Sequence, residues 1–144
     1  YNYVMSEKFL YSTICLLFIS IPAFADKYVP NFKEMKTIRC NVEETIFTKE
    51  NTPVSHNKYF RIFNLDDTNK KIYLQKAPVD KILYYEADRI EFNSQHLTDD
   101  FIMLSKITID RKDGKYSSES TLTYDNEMFG IRHAKASGSC HFIN

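Results

Sequence analysis

Phe101 to Tyr124 reads FIMLSKITIDRKDGKYSSESTLTY, and the reading of this stretch decides the fold. Side chains alternate along a strand, so Phe101, Met103, Ser105, Ile107 and Ile109 share one face, with Ile102, Leu104, Lys106, Thr108 and Asp110 on the other. The first face is the drier. Arg111-Lys112-Asp113-Gly114 then supplies polar turn residues and a glycine able to take positive φ. Alternation resumes with Tyr116, Ser118, Ser120, Leu122 and Tyr124 against Ser117, Glu119, Thr121 and Thr123. The stretch is therefore expected to form an antiparallel hairpin.

On the C-terminal side, Asp125-Asn126-Glu127 predicts a turn. Met128 to Lys135 predicts a strand with a bend at Gly130, Ala136-Ser137-Gly138 a small-residue connection, and Ser139 to Ile143 a last strand with Cys140 and Phe142 on one face. On the N-terminal side, Arg89 to Asn93 predicts a short strand followed by a loop over Ser94 to Asp100, and Asp80 to Ala87 a strand or one helical turn, with strand preferred. Tyr59 to Leu65 and Lys71 to Lys76 flank Asp66-Asp67-Thr68-Asn69-Lys70 as a second hairpin, and Ala77-Pro78 ends its return strand because proline cannot donate to a ladder. Lys49 to Asn57, broken by Pro53, predicts a polar connection. From Met35, Ile38, Cys40, Val42 and Ile46 share a face, so Cys40 is expected to point inward.

About seven to nine short strands, closely spaced with turn residues between them, argue for an all-β antiparallel meander, a small barrel first and a sandwich second. The N-terminal region differs. Residues 1–4 precede the first methionine, and residues 5–25 resemble a secretory signal: Ser6-Glu7-Lys8, the apolar Phe9 to Ile21, then Ala23-x-Ala25 where a signal peptidase requires small residues. The apolar run is shorter than the roughly 20 residues that span a bilayer, so no membrane span is expected after cleavage. Residues 26–34, with Pro30, are expected to be an exposed lead-in, and residues 35–144 a single β-domain.

Cys15 would leave with the signal. Cys40 and Cys140 remain, and an isolated pair in an oxidising compartment is most simply a disulfide, closing a loop of about 100 residues. A metal site using Cys40, Cys140 and His141 lacks the close ligand spacing of such sites. Lysine plus arginine equals aspartate plus glutamate at 19 each, so no net charge draws the chain to nucleic acid or an anionic membrane.

No catalytic motif is evident. His56, His96, His133 and His141 are scattered outside any recognised nucleophile context. Asp99 and Asp100, as neighbours on an extended chain, point apart. Asp66, Asp67 and Asn69 lack the glycine and distal glutamate of a calcium loop and are expected to form the turn itself. Tyr59, Phe60, Phe63, Tyr84 and Tyr85 fit either a core or a ligand pocket, and Asp110-Arg111-Lys112 offers exposed charge at a hairpin tip.

Ile107 to Tyr116, followed by Gly138-Ser139-Cys140, resembles a loose group of small secreted bacterial proteins with an I-x-I-D-R-x-x-G hairpin and a late G-x-C, Asp113 standing where threonine is usual. The resemblance implies a periplasmic or secreted setting and no particular activity. In size and cysteine placement the chain is also similar to periplasmic inhibitors of C-type lysozyme, small disulfide-stapled β-barrels, although their serine- and glycine-containing loop motif is not evident. The expectation is an exported, monomeric, non-enzymatic domain without cofactors that binds a protein or an envelope component. The alternatives are a lipocalin-like carrier of a small apolar ligand and a lysozyme inhibitor.

Overall fold

The computed structural model describes residues 28–143, so the signal-like segment, its cleavage site and Cys15 lie outside the described residues. All strands lie in the unit Asn31–Asn144. They are β1 Lys36–Phe47, β2 Pro53–Asp66, β3 Lys71–Leu74, β4 Ala77–Pro78, β5 Lys81–Tyr85, β6 Arg89–Leu97, β7 Phe101–Asp110, β8 Lys115–Tyr124 and β9 Ile131–Phe142. They form one antiparallel sheet in the order β4-β3-β2-β1-β9-β8-β7-β6-β5. The fold is all-β, a curled half-barrel.

The alternation read from the sequence holds along the central hairpin. Met103, Ser105, Ile107 and Ile109 of β7 are buried, and so are Tyr116, Ser118, Ser120 and Leu122 of β8. The sheet curls because each strand buries the same face. Phe63 of β2 and Phe92 of β6 are five places apart in the strand order, yet their rings meet edge to face at 5.5 Å. Around them close Ile38, Cys40, Val42, Leu65, Ile72, Ile90, Ile107 and Ile109. Each such side chain contributes about 1.5–3 kcal/mol by leaving water. A smaller cluster of Met103, Leu122 and Ala134 lies toward the far end of the same strands.

Between the clusters the inner face is polar but satisfied in part. Ser105 and Ser120 share a hydrogen bond at 2.7 Å, and the Tyr59 hydroxyl donates to Glu44 at 3.0 Å. Burial is the main influence on the Tyr59 phenol, raising its pKa to about 12, with Glu44 acting in the same direction and Arg61 against it.

Cys40 and Cys140 are directly opposite in the β1–β9 register and form a disulfide with Cα atoms 4.0 Å apart. The first and last strands thus lie side by side in the middle of the sheet, whose edges are β4 and β5. The ladder is interrupted elsewhere, between β4 and β5, which are neighbours in sequence. There Val79 donates to the Ile72 carbonyl of β3 and Asp80 to the Asn93 carbonyl of β6, so the chain steps from one edge of the sheet to the other.

Four expectations are corrected. The segment from Pro53 to Asn57 is strand, because β1 is long enough to pair with β2 back to Pro53. Residues 94–97 continue β6, paired with Ile102 to Ser105. Ala136-Ser137-Gly138 lies in the middle of one continuous strand, where a Cβ at Gly138 would collide with the Asn41 carbonyl, so the glycine permits close approach of β1 rather than a turn. Ala77-Pro78 forms its own short strand beyond a turn at Gln75 and Lys76, both at positive φ. Within residues 28–34, Phe32 meets Tyr73 edge to face at 5.1 Å, and Met35, which follows, is buried.

Candidate functional site

Two regions concentrate chemistry on the surface of this sheet. The first spans the turns at one end. Asp67, in the β2–β3 turn, accepts from the Tyr85 hydroxyl at 2.8 Å, from Arg111 at 3.0 and 3.1 Å through its two oxygens, and from Lys36 at 2.8 Å. Arg111 also donates to the Glu86 carbonyl at 3.1 Å, and Lys70 reaches the Glu86 carboxylate at 3.4 Å.

Partial burial alone would raise the Asp67 pKa. The Arg111, Lys36 and Tyr85 donors outweigh it and hold the carboxyl at about 2. The Tyr85 phenol is pushed the other way, first by burial and then by its bond to Asp67. Both Asp67 oxygens are engaged and the phenol stays protonated, so neither group is poised to take a proton from a substrate. This cluster is a clasp, joining the β2–β3 turn to β5 and to the β7–β8 turn where the ladder is absent.

The second region lies on the outer face near the other end. Alternation gives this face to solvent, yet Leu97, Ile102 and Ile131 stand in one cross-strand row with Thr123 between the last two. Leu104, Thr121, His133 and Phe47 form the next row. Leu104 is 53% exposed, Leu97 67% and Ile131 49%. A third row, Lys106, Glu119 and Lys135, runs parallel with alternating charge. Between the second and third rows lies a groove of about 630 Å³, whose lining also takes in Ser94, Ser105, Ser120 and Ala134, the residues between the rows whose own side chains turn to the buried face, together with Asn51 and Asp80.

The residues singled out in the sequence do not converge. His56 bonds Thr45 at 3.1 Å, His133 lines the groove, and His96 and His141 are on β6 and β9. Among the described residues no group of three or more His, Cys, Asp or Glu could hold a metal ion. Asp66 turns back onto Asn69, accepting from its backbone at 3.1 Å and its side chain at 2.8 Å, as expected of turn residues. Asp110 does the same for Lys112 and Asp113, whose backbone amides lower its pKa.

The aromatic set divides among several environments. Phe63 is core, Phe60 lies outside under Arg39 at 4.2 Å, Tyr84 packs with Arg89 at 4.5 Å, Tyr59 holds Glu44 and Tyr85 holds Asp67. Sequence reasoning missed the exposed row. The available signal was Ile102 and Leu104 on the face that the hairpin's own pattern assigns to water. No family model, curated protein or solved structure matches the chain.

Proposed function

We propose that the chain is an exported, non-enzymatic β-domain that binds another protein through the outer-face groove and its apolar rows. The observation supporting this is the row Leu97, Ile102 and Ile131 with Leu104 beside it, aliphatic side chains held outward on a rigid sheet. Such a patch rimmed by charge is the usual composition of a protein-binding surface. Export is supported by the disulfide, which suits an oxidising compartment, and by the signal-like residues 5–25. Among the described residues no helix is long and apolar enough to cross a membrane.

The carrier reading stands second, because the inner face that would hold a ligand is occupied by Phe63, Phe92, Ile107 and Ile109, all fully buried. A lysozyme inhibitor is one specific form of the leading reading.

The test uses the full chain expressed in a bacterial exporting host, with a photo-crosslinking residue at Leu104 or, as control, at Lys112 on the opposite end of the sheet. A discrete adduct from position 104 alone, lost in Ile102→Glu/Leu104→Glu, is expected. Equal adducts from both positions, or an adduct that survives the double substitution, would overturn the assignment. C-type lysozyme added to the same reaction tests that partner directly.

A further inference from the structure

The long strand β2 has an edge that the rest of the sheet leaves uncovered. β2 pairs with β1 from Pro53 to Leu65, with a register shift at Val54, but with β3 only from Phe63 to Asp66. One further contact, Gln75 N–H to the Ile62 carbonyl at 3.5 Å, extends that side by a residue. Among the described residues no strand pairs with the remainder.

Main-chain groups in a strand alternate between its two edges. The Ile62 carbonyl faces β3, so those of Phe60, Lys58 and His56 face the same way, up to the register shift at Val54. The alternation is consistent across the sheet: Ile143 N–H reaches the Thr37 carbonyl and Cys140 N–H the Gly114 carbonyl, as the same parity requires. Among the described residues three successive donor and acceptor pairs therefore stand open, at His56, Lys58 and Phe60, residues that are themselves exposed.

We propose that this edge accepts an extended segment of a partner protein as an added antiparallel strand, a mode in which main-chain bonds supply affinity and alternate side chains supply selectivity. The site is independent of the outer-face groove. The chemistry of the segment follows from the edge. Residues 53–62 contain His56, Lys58 and Arg61 and no carboxylate. The outer-face neighbours of an added strand would be Lys58, drawn on one side to Glu43 at 3.0 Å, and Phe60, 55% exposed and backed by Arg39. The segment thus carries a carboxylate opposite Lys58 and an apolar side chain opposite Phe60.

A second copy of this chain fits poorly. Antiparallel self-pairing that overlaps residues 56–60 of β2 in full sets Lys58 against Lys58, and directly opposed like charges destabilise a ladder. Lysine on an exposed edge is also a common guard against edge-to-edge association.

The probe is a fluorescein-labelled ten-residue peptide, Thr-Val-Thr-Glu-Thr-Val-Thr-Glu-Thr-Val, which places valine and glutamate two residues apart on one face, with two comparison peptides: one with lysine for glutamate, one N-methylated on alternate amides. All are titrated into the disulfide-bonded protein by anisotropy. The glutamate peptide is expected to bind about threefold to fivefold more tightly than the lysine peptide. The N-methylated peptide should lose binding, and bound peptide should slow exchange of the His56, Lys58 and Phe60 amides while leaving Ser55, Asn57 and Tyr59 as they were. Phe60→Pro, which removes one outward donor from an edge where proline is tolerated, should abolish binding, and Lys58→Gln should erase the glutamate preference if the proline variant does not fold. Equal binding of all three peptides, or no binding, overturns the proposal. So does slow exchange of those three amides in the peptide-free monomer, or a dimer that Phe60→Pro dissolves, which would assign the edge to a second copy.

Discussion

The β1–β9 boundary and the break between β4 and β5 are the two places where this sheet could have come apart, and they are held by different means. At β1–β9 the register runs unbroken from Ile38–Phe142 to Phe47–His133, with the disulfide inside it and Gly138 allowing the backbones to close. At the break no ladder crosses. Two main-chain contacts at Val79 and Asp80 hold one end, and side chains hold the other: Asp67 with Tyr85, Arg111 and Lys36. A boundary of main-chain bonds and a covalent link depends little on side-chain identity or pH. One closed by a carboxylate and its donors depends on both.

The largest effect should come from opening the first boundary. Cys40→Ser with Cys140→Ser removes a cross-link over 100 residues, for which chain-entropy estimates give about 4.7 kcal/mol, a large share of a small domain's stability. Guanidinium unfolding of the double variant should show the midpoint falling sharply; a change within about 1 kcal/mol would mean that the ladder alone locks this boundary.

Next comes the clasp. Asp67→Ala leaves Arg111, whose side chain is only 9% exposed, and the Tyr85 hydroxyl without their shared acceptor. The expected loss is about 2 kcal/mol, with amide exchange accelerating in β3 and β5 more than in β1 and β9. Uniform acceleration would show that the two boundaries open together.

The same carboxylate sets a pH window that the disulfide boundary lacks. Its folded pKa, about 2, lies below the ordinary 3.8. The stabilisation is therefore complete above about pH 4 and lost as pH falls toward 2. Because the group is partly exposed, the amount is on the order of 1 kcal/mol after solvent screening. Stability measured from pH 5 to 2 should fall less steeply in Asp67→Asn than in the parent; parallel curves would remove the clasp from the acid response.

How far each boundary was legible in the sequence follows from the range of its interactions. The central hairpin could be read because Ile107, Ile109 and Tyr116 repeat with period two around a glycine turn, and the Cys40–Cys140 link because the leftover cysteines have one pairing. The early half of β2 could not: Pro53 to Asn57 has no apolar alternation and is strand only because β1 holds it in register. The clasp was invisible because Asp67, Tyr85 and Arg111 are 18 and 44 residues apart and meet only once the sheet curls. In the candidate groove, Leu104 and Ile102 were in plain view, but the rows they join come from strands paired in space.

The smallest expected effect is also the sharpest contrast, because the same substitution should have opposite signs at the two boundaries. Tyr85→Phe removes a hydroxyl that donates to Asp67 at 2.8 Å, and should cost about 1 kcal/mol. Tyr116, on β8 beside β9, has a buried hydroxyl that makes no well-formed hydrogen bond among the described residues; Ser118 is near enough for a weak bond that lowers its pKa, against the larger effect of burial. Burial accordingly raises its pKa. Tyr116→Phe removes a polar atom dehydrated without return, so unfolding should show no loss of stability and up to about 1 kcal/mol of gain. A loss at Tyr116 matching that at Tyr85 would mean its hydroxyl is paired in solution, and that the β8–β9 side, like the clasp, draws on side-chain hydrogen bonding.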